Sequence, residues 1–233
     1  MKKNDLIINI IKLAVVFTLF LFNSLIGSIL LRIFNINRSS LSANGLIILR
    51  LAVYLILITI FTLMYKKDIK KEWKNFTSKL GKNSDTMFKY YFIGLFLMMF
   101  FNIILNFILK LGQSQNENAV QDMIKTSPII MLIFAGLLAP IIEEIVFRKS
   151  FKNVFKNKWA FVLLSGFIFG LLHIIGFELK NPLEVLYIIP YGSLGAGFAL
   201  MDYEIDSTFP SIAMHMAHNT VLISLSIILR LFV

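Results

Sequence analysis

Long apolar runs, broken by short polar and Lys-rich stretches, set the pattern of this chain. Seven runs approach the ~20 residues a helix needs to cross the hydrocarbon core of a bilayer. They fall at roughly 8–31, 46–65, 90–109, 128–147, 160–176, 185–201 and 210–231. The first three are mostly Leu, Ile, Phe and Met, whereas the fourth, fifth and sixth carry Gly, Pro or charge. The fifth and sixth are short for a full crossing. This pattern predicts an all-α polytopic membrane helix bundle of about seven transmembrane helices. Residues 1–109 read as a three-span scaffold and 110–233 as the part where polar residues gather, within one integral membrane domain. The apolar run from Leu6 to Phe34 is too long for a secretory signal and lacks a small-residue cleavage site, so it is expected to be an uncleaved first span.

Composition agrees with this and adds an orientation. Of 233 residues, 58% are hydrophobic, more than a soluble domain of this size carries. The net charge of +10 resides in the connections between apolar runs, without a basic stripe interleaved with aromatics, so nucleic acid is not an expected partner. Residues 66–89 hold eight Lys against three acids, and 148–158 hold Arg148 and four Lys with no acid. Both are expected on the cytoplasmic side, in agreement with Lys2 and Lys3 at the start. The connection 110–127 is polar with only two Lys and is expected to face outward. The connection 202–209 should be cytoplasmic by alternation, although it is acidic and has no Lys or Arg. The chain has no Cys, which excludes disulfides, thiolate nucleophiles, Cys-ligated metals and lipidation on Cys.

Two local patterns are structural. Phe147, Phe151, Phe155 and Trp159 recur every four residues and would share one helix face. They predict an interfacial helix on the cytoplasmic surface or a continuation of the fourth span. Gly166 and Gly170, also four apart, permit close helix contact, as Gly192, Gly195 and Gly197 do in the sixth span.

Ionisable residues inside spans are costly and are functional candidates by default. Glu143 and Glu144 lie in the fourth span, His173 in the fifth, and His215, His218 and the polar Asn219 in the seventh. Helical spacing puts Phe169 with His173, Glu144 with Arg148, and His215 with Asn219, each four apart on a shared face. His218 flanks the face of His215. Glu143 points about 100° away from Glu144, so one carboxylate is free to face the histidines while Arg148 holds the other. A carboxylate in a low-dielectric cavity is a good general base for water. Imidazoles can hold that water or ligate a metal that activates it, and an Asn amide can donate to a developing oxyanion. The same residues also suit helix staples, interhelical hydrogen bonds or a proton path.

In that order, "EEIVFR", "FGLLH" and "HMAHN" fit the motifs EExxxR, FxxxH and HxxxN. Over about 110–233 the chain resembles the CPBP family of intramembrane proteases. That family contains the Rce-type CAAX prenyl proteases and bacterial Abi homologues linked to bacteriocin processing and self-immunity. The resemblance implies Glu143 as catalytic base, Glu144 as its supporting carboxylate and Arg148 as a structural partner. It further implies His173 and His215 as contacts of water or metal, Asn219 as oxyanion donor and Phe169 as a packing residue, and gives His218 no motif role. No cofactor is required; if a metal is present, zinc on His173 and His215 is the expectation, since two His and a Glu suffice for an open site.

The expected function is therefore hydrolysis of a peptide bond in a leader-type, prenylated or otherwise membrane-associated peptide. The expected location is a bacterial cell membrane, with the site toward the cytoplasm. A non-enzymatic immunity or regulatory protein of the same fold, and a proton-coupled transporter, are the alternatives. No HExxH or GxGD motif is present, and Ser193 lacks the Gly-x-Ser-Gly pattern. One conflict stands in the spacing. Glu143 and His215 fall about 8 Å from the expected cytoplasmic span ends, whereas His173, fourteen residues after Trp159, falls about 21 Å in. Either the fourth span runs on past Arg148 or the fifth begins later.

Overall fold

A computed structural model describes residues 3–175 and 181–232. Lys2 and the last residue of the expected fifth span, 176, lie outside the described residues. The described chain is all-α, with ten helices used below: α1 Lys3–Leu21, α2 Asn23–Ile33, α3 Ala43–Met64, α4 Lys66–Ser78, α5 Leu80–Ile108, α6 Gln115–Thr126, α7 Pro128–Val154, α8 Lys158–Leu172, α9 Pro182–Ile205 and α10 Phe209–Leu229. Six of these, α1, α3, α5, α7, α9 and α10, are long and apolar enough to cross a membrane. The expected fifth span is α8, whose 15 residues rise only about 22 Å. The protein is an integral membrane helix bundle.

Three expectations change. The first span is not continuous over 8–31: it breaks at Phe22, where the Asn23 side-chain amide turns back to donate to the Phe20 carbonyl at 2.7 Å. An Asn that offers the backbone a local partner favours a turn over helix propagation. Part of the Lys-rich connection 66–89 is itself a helix, α4. The four-residue aromatic pattern after Glu144 belongs to α7, which continues to Val154, so no separate interfacial helix forms. Phe147 and Phe151 are buried, but the backbone becomes extended at Phe155, and Trp159 ends up 59% exposed at the start of α8. The pattern outlasts the helix that would have given it meaning. Asn157 ends the break by accepting from the Ala160 amide at 3.0 Å as the N-cap of α8.

That longer α7 narrows the depth conflict. Glu143 lies eleven residues, about 16 Å, from Val154, against about 22 Å for His173, fifteen residues into α8. His215 lies only six residues into α10, but α10 begins inside the protein. Ser207 and Thr208 are buried, and the Thr208 amide donates to Glu72 of α4 at 3.0 Å. α4 therefore lids the α9–α10 turn and sinks the start of α10.

Packing around α7 uses both ends of the chain. Val16 of α1, with Val53, Leu57 and Phe61 of α3, joins Ile142, Ile145, Val146, Phe147 and Phe169 in one buried cluster. On the other side α8, α9 and α5 pack through glycines. A Cβ on Gly166 would lie 2.8 Å from the Gly192 carbonyl oxygen, and one on Gly197 would lie 2.8 Å from the Tyr90 carbonyl oxygen. Only glycine permits backbones to approach this closely.

Candidate active site

The site is built on α7, whose ladder is irregular on both sides of the glutamates. Leu132–Leu138 and Ile145–Lys149 are π-helical turns, a feature frequent at functional sites. Pro140 accounts for the first: it has no N–H, so carbonyls one turn back lose a partner. Those carbonyls are met from α10. Asn219 donates its side-chain amide to the Ala135 carbonyl at 2.8 Å, and the Thr220 hydroxyl approaches the Gly136 carbonyl at 3.4 Å. Pro140 thus opens the acceptors that register α10 against α7.

Neighbouring carboxylates occupy different environments. Glu144 is completely buried, while the Glu143 side chain retains 20% exposure. Glu144 Oε2 lies 3.0 Å from Arg148 Nε, off the line of a directed hydrogen bond, so the contact is ionic. Arg148 is itself fully buried. It donates to Ser165 Oγ at 3.3 Å, Ser165 donates on to the Phe147 carbonyl at 2.9 Å, and the Phe169 ring lies 4.7 Å from the guanidinium carbon. A buried guanidinium needs such partners, because an uncompensated charge there is strongly destabilising. The other oxygen, Glu144 Oε1, is 2.8 Å from His215 Nδ1. A carboxylate accepts, so Nδ1 carries a proton, and in the neutral form of the ring Nε2 is the acceptor. That Nε2 is 3.9 Å from Glu143 Oε2. The spacing is too long for a direct hydrogen bond but leaves room for one water to touch both.

Aromatic rings fix the two imidazoles. His215 stacks on Phe198, with ring centres 5.1 Å apart, and meets Phe169 edge-on at 5.7 Å. His173 sits just past the end of α8, where helix carbonyls have lost their partners. Its Nδ1 is 2.8 Å from the Phe169 carbonyl, which can only accept. Nε2 of His173 is again the free acceptor. Its ring lies between Phe169 at 4.4 Å and Tyr191 at 4.7 Å, stacked on the latter.

Glu143, Phe169, His173, His215, His218 and Asn219 all line one cavity of about 490 Å³. Glu144 and Arg148 support it from behind and do not line it. His218, which matched no motif, is on the wall with its Nδ1 3.1 Å from the Tyr91 hydroxyl. Sequence reasoning missed Tyr191, Phe198, Ser165 and Tyr91. None carries a motif, although the spacing of Ser165 from Phe169 on α8 puts it on the same face. Among the described residues no three His, Asp or Glu side chains gather closely enough to hold a metal. No chemical step is derived through a zinc on His173 and His215.

The cavity also has a direction within the bundle. The cavity runs from Glu143 to α6, with Asn116, Glu117, Val120 and Gln121 on its wall, and none of its lining comes from α4 or residues 148–158. The sequence led to a cytoplasmic opening; the cavity instead reaches toward the connection expected to face outward.

One carboxylate held by a buried Arg, a second facing the cavity, two ring-clamped histidines and an amide gather inside a membrane bundle, an arrangement chemically able to activate water. Residues 125–221 match the family described as Type II CAAX prenyl endopeptidase Rce1-like. Over that stretch the chain is similar to this family of CAAX-type membrane proteases. It is similar to the Bacillus subtilis protein named "Putative membrane peptidase YdiL", 28% identical over 134 residues, 56% of this chain and 51% of that protein. It is also similar to an uncharacterized protein of Mycoplasma capricolum, 33% identical over 105 residues, 42% of this chain and 30% of that protein. The match thus spans about half the length of the first relative and less of the second. No solved structure matches the chain.

Proposed function

We propose that this protein is an intramembrane endopeptidase that cleaves a membrane-associated peptide with a water activated by Glu143. The carrying observation is the contrast between the two glutamates: Glu144 is enclosed by Arg148 and His215, whereas Glu143 faces the cavity, with His215 Nε2 3.9 Å from its Oε2. A water between Glu143 Oε2 and His215 Nε2 gives a proton to Glu143 while its oxygen attacks the peptide carbonyl carbon. The C=O electron pair moves to the carbonyl oxygen, toward the remaining amide proton of Asn219. Collapse of the intermediate breaks the C–N bond, and Glu143 returns the proton to the leaving amine. The second proton of the water is held by a single acceptor nitrogen, Nε2 of His215, and the ring of His173 walls the position on the other side. Glu144 fixes the His215 tautomer as a positioning residue.

The substrate reading is a leader-type or lipidated peptide tail in a bacterial cell membrane. With the Lys-rich α4 face cytoplasmic, we read the cavity as entered from the α6 side. The test is cleavage of a mixed peptide library by purified wild type and Glu143→Gln, each before and after chelation. Proteolysis lost in Glu143→Gln supports the reading, and chelator sensitivity separates metal-dependent from metal-free chemistry. Equal proteolysis by both proteins, or none by wild type, removes it.

A further inference from the structure

Glu184 matches no motif and does not line the catalytic cavity. It sits in the first turn of α9, where the helix dipole favours a carboxylate whether or not it is exposed. Its side chain is nevertheless turned inward. The residue is only 6% exposed, and its Oε2 is buried with no hydrogen-bond partner among the described residues. Buried polar groups are almost always paired, so one left alone points to a water or a ligand. The donors around it are engaged elsewhere: the Tyr187 hydroxyl donates to the Gly112 carbonyl, Ser114 and Tyr191 share a hydrogen bond at 2.7 Å, and the Asn116 amide donates to the Tyr191 hydroxyl at 3.3 Å. Glu184 lines a small cavity of about 10 Å³ with Ser114, Asn116, His173, Ile174 and Tyr187. That is room for about one water, and the walls offer the two to four polar partners a buried water needs. Two of these residues, Asn116 and His173, also line the catalytic cavity. Tyr191 joins the two spaces: its ring stacks on His173 at 4.7 Å, while its hydroxyl is held by Ser114 of the small cavity.

We propose that Glu184 holds a water in reserve beside the catalytic cavity, and that this water replaces the one consumed in each cleavage. The inference rests on the protease reading given above. Hydrolysis takes one water from the site for every peptide bond cut, and the hydrocarbon around the bundle supplies none. The catalytic cavity admits bulk water only while it holds no peptide. A peptide that fills its roughly 490 Å³ also closes the route by which water enters. A water on Glu184 lies across the Asn116–His173 wall, out of the path of the peptide, and one step from the space between Glu143 and His215. Glu184 touches no reacting atom of the peptide and acts as a positioning residue for the nucleophile.

Labelling tests the water, and kinetics tests its use. In X-ray radiolytic footprinting, hydroxyl radicals made from a bound water oxidise the side chains beside it even where bulk solvent does not reach. Tyr187 and Ile174 are both buried, so a dry cavity leaves them unmodified. In detergent-solubilised wild type both are expected to be oxidised. In Glu184→Leu, which fills the cavity with apolar atoms, both are expected to be protected. The same proteins are then assayed on peptides that wild type cleaves. The water is needed only after peptide has bound, so Glu184→Leu should lower kcat about tenfold or more at unchanged KM. Its melting temperature should hold or rise, because an unpaired buried carboxylate has given way to an apolar side chain of similar size. Glu184→Gln keeps polar atoms at the cavity; it should retain the labelling and lose less kcat than Glu184→Leu. Protection of Tyr187 and Ile174 in wild type, wild-type kcat in Glu184→Leu, a loss that appears in KM, or a loss matched by a lower melting temperature would each overturn the proposal. Equal kcat losses in the two variants would also overturn it, since the charge of Glu184 and not a water would then carry the effect. Glu184-dependent labelling without any cleavage by wild type would remove the protease reading, and the supply role with it, and leave the bound water standing.

Discussion

At the scale of single residues, the adjacent glutamates should fail in different ways when changed. Glu143→Gln removes the base but leaves the Arg148–Glu144–His215 chain intact. Loss of one positioned acid–base group typically costs about 10²- to 10⁴-fold in rate. The expected outcome is that loss in peptide cleavage with an unchanged melting temperature in detergent. Glu144→Gln instead leaves a fully buried guanidinium without its counter-charge, a change of about 3–5 kcal/mol when one partner of a buried pair is removed. It should lower the melting temperature as well as the rate. Equal stability of the two variants would contradict the division of roles. This division was only half legible beforehand. The spacing of Glu144 and Arg148 told which carboxylate the Arg would hold. That Glu144 also binds His215 was not readable, because it depends on where α10 is set against α7. That in turn depends on carbonyls freed by Pro140, a residue whose effect is felt a turn away from itself.

At the scale of elements, helix contacts and helix limits differ in how far sequence reveals them. The glycine spacing in α8 correctly indicated a close approach. Gly166→Leu should therefore cost about 1–3 kcal/mol of stability, the usual penalty for forcing bulk into a filled contact, read as a lower melting temperature. A neutral result would mean that α8 and α9 can separate at little cost. By contrast, the sequence of α4 reads as a connection, because its Lys residues obscure the few positions that count. Asp68 and Glu72 pair with the buried Lys149 of α7, and Asp206 after α9 pairs with Lys152 and Lys71. Burial alone would raise the Asp68 carboxyl, but Lys149 outweighs it and holds the group below its ordinary value of 3.8. The same balance, with Lys152 and Lys71 as the cations, lowers Asp206. A carboxylate depressed in the folded state stabilises the fold fully above its unfolded value and loses that contribution as pH falls through the folded one. Stability should thus drop as pH falls through and below about 4, and Asp68→Asn should flatten that drop. A pH series of melting temperatures on both proteins checks the sign; an unchanged acid slope in Asp68→Asn would show that α4 docks without this pair.

At the scale of the whole molecule, two properties that a sequence reports independently meet in a way it does not state. Charge along the chain orients the bundle: Lys66, Lys67, Lys70, Lys71 and Lys74 of α4, with Lys149 to Lys158 on the adjoining end of α7 and α8, mark one face. The cavity, built from residues far apart in sequence, opens away from that face and is covered by α6. α6 is tied down by Arg230 and Ser226 at Gln121, each at 2.8 Å, and at its start by Ser114 on Tyr191 at 2.7 Å. Tyr191 is the ring on which His173 stacks, so movement of α6 would be felt at a histidine of the site. A cytoplasmic α4 therefore implies peptide arriving from the other side, beneath α6. The absence of native Cys makes this directly measurable, since any introduced thiol is the sole target. In intact cells a membrane-impermeant maleimide should modify Asp122→Cys, on the exposed side of α6, and spare Lys74→Cys on α4 until the membrane is opened. The reverse pattern would turn the bundle over and return the cavity to the cytoplasm. Labelling of both sites in intact cells would mean that the Lys-rich face does not set a single orientation.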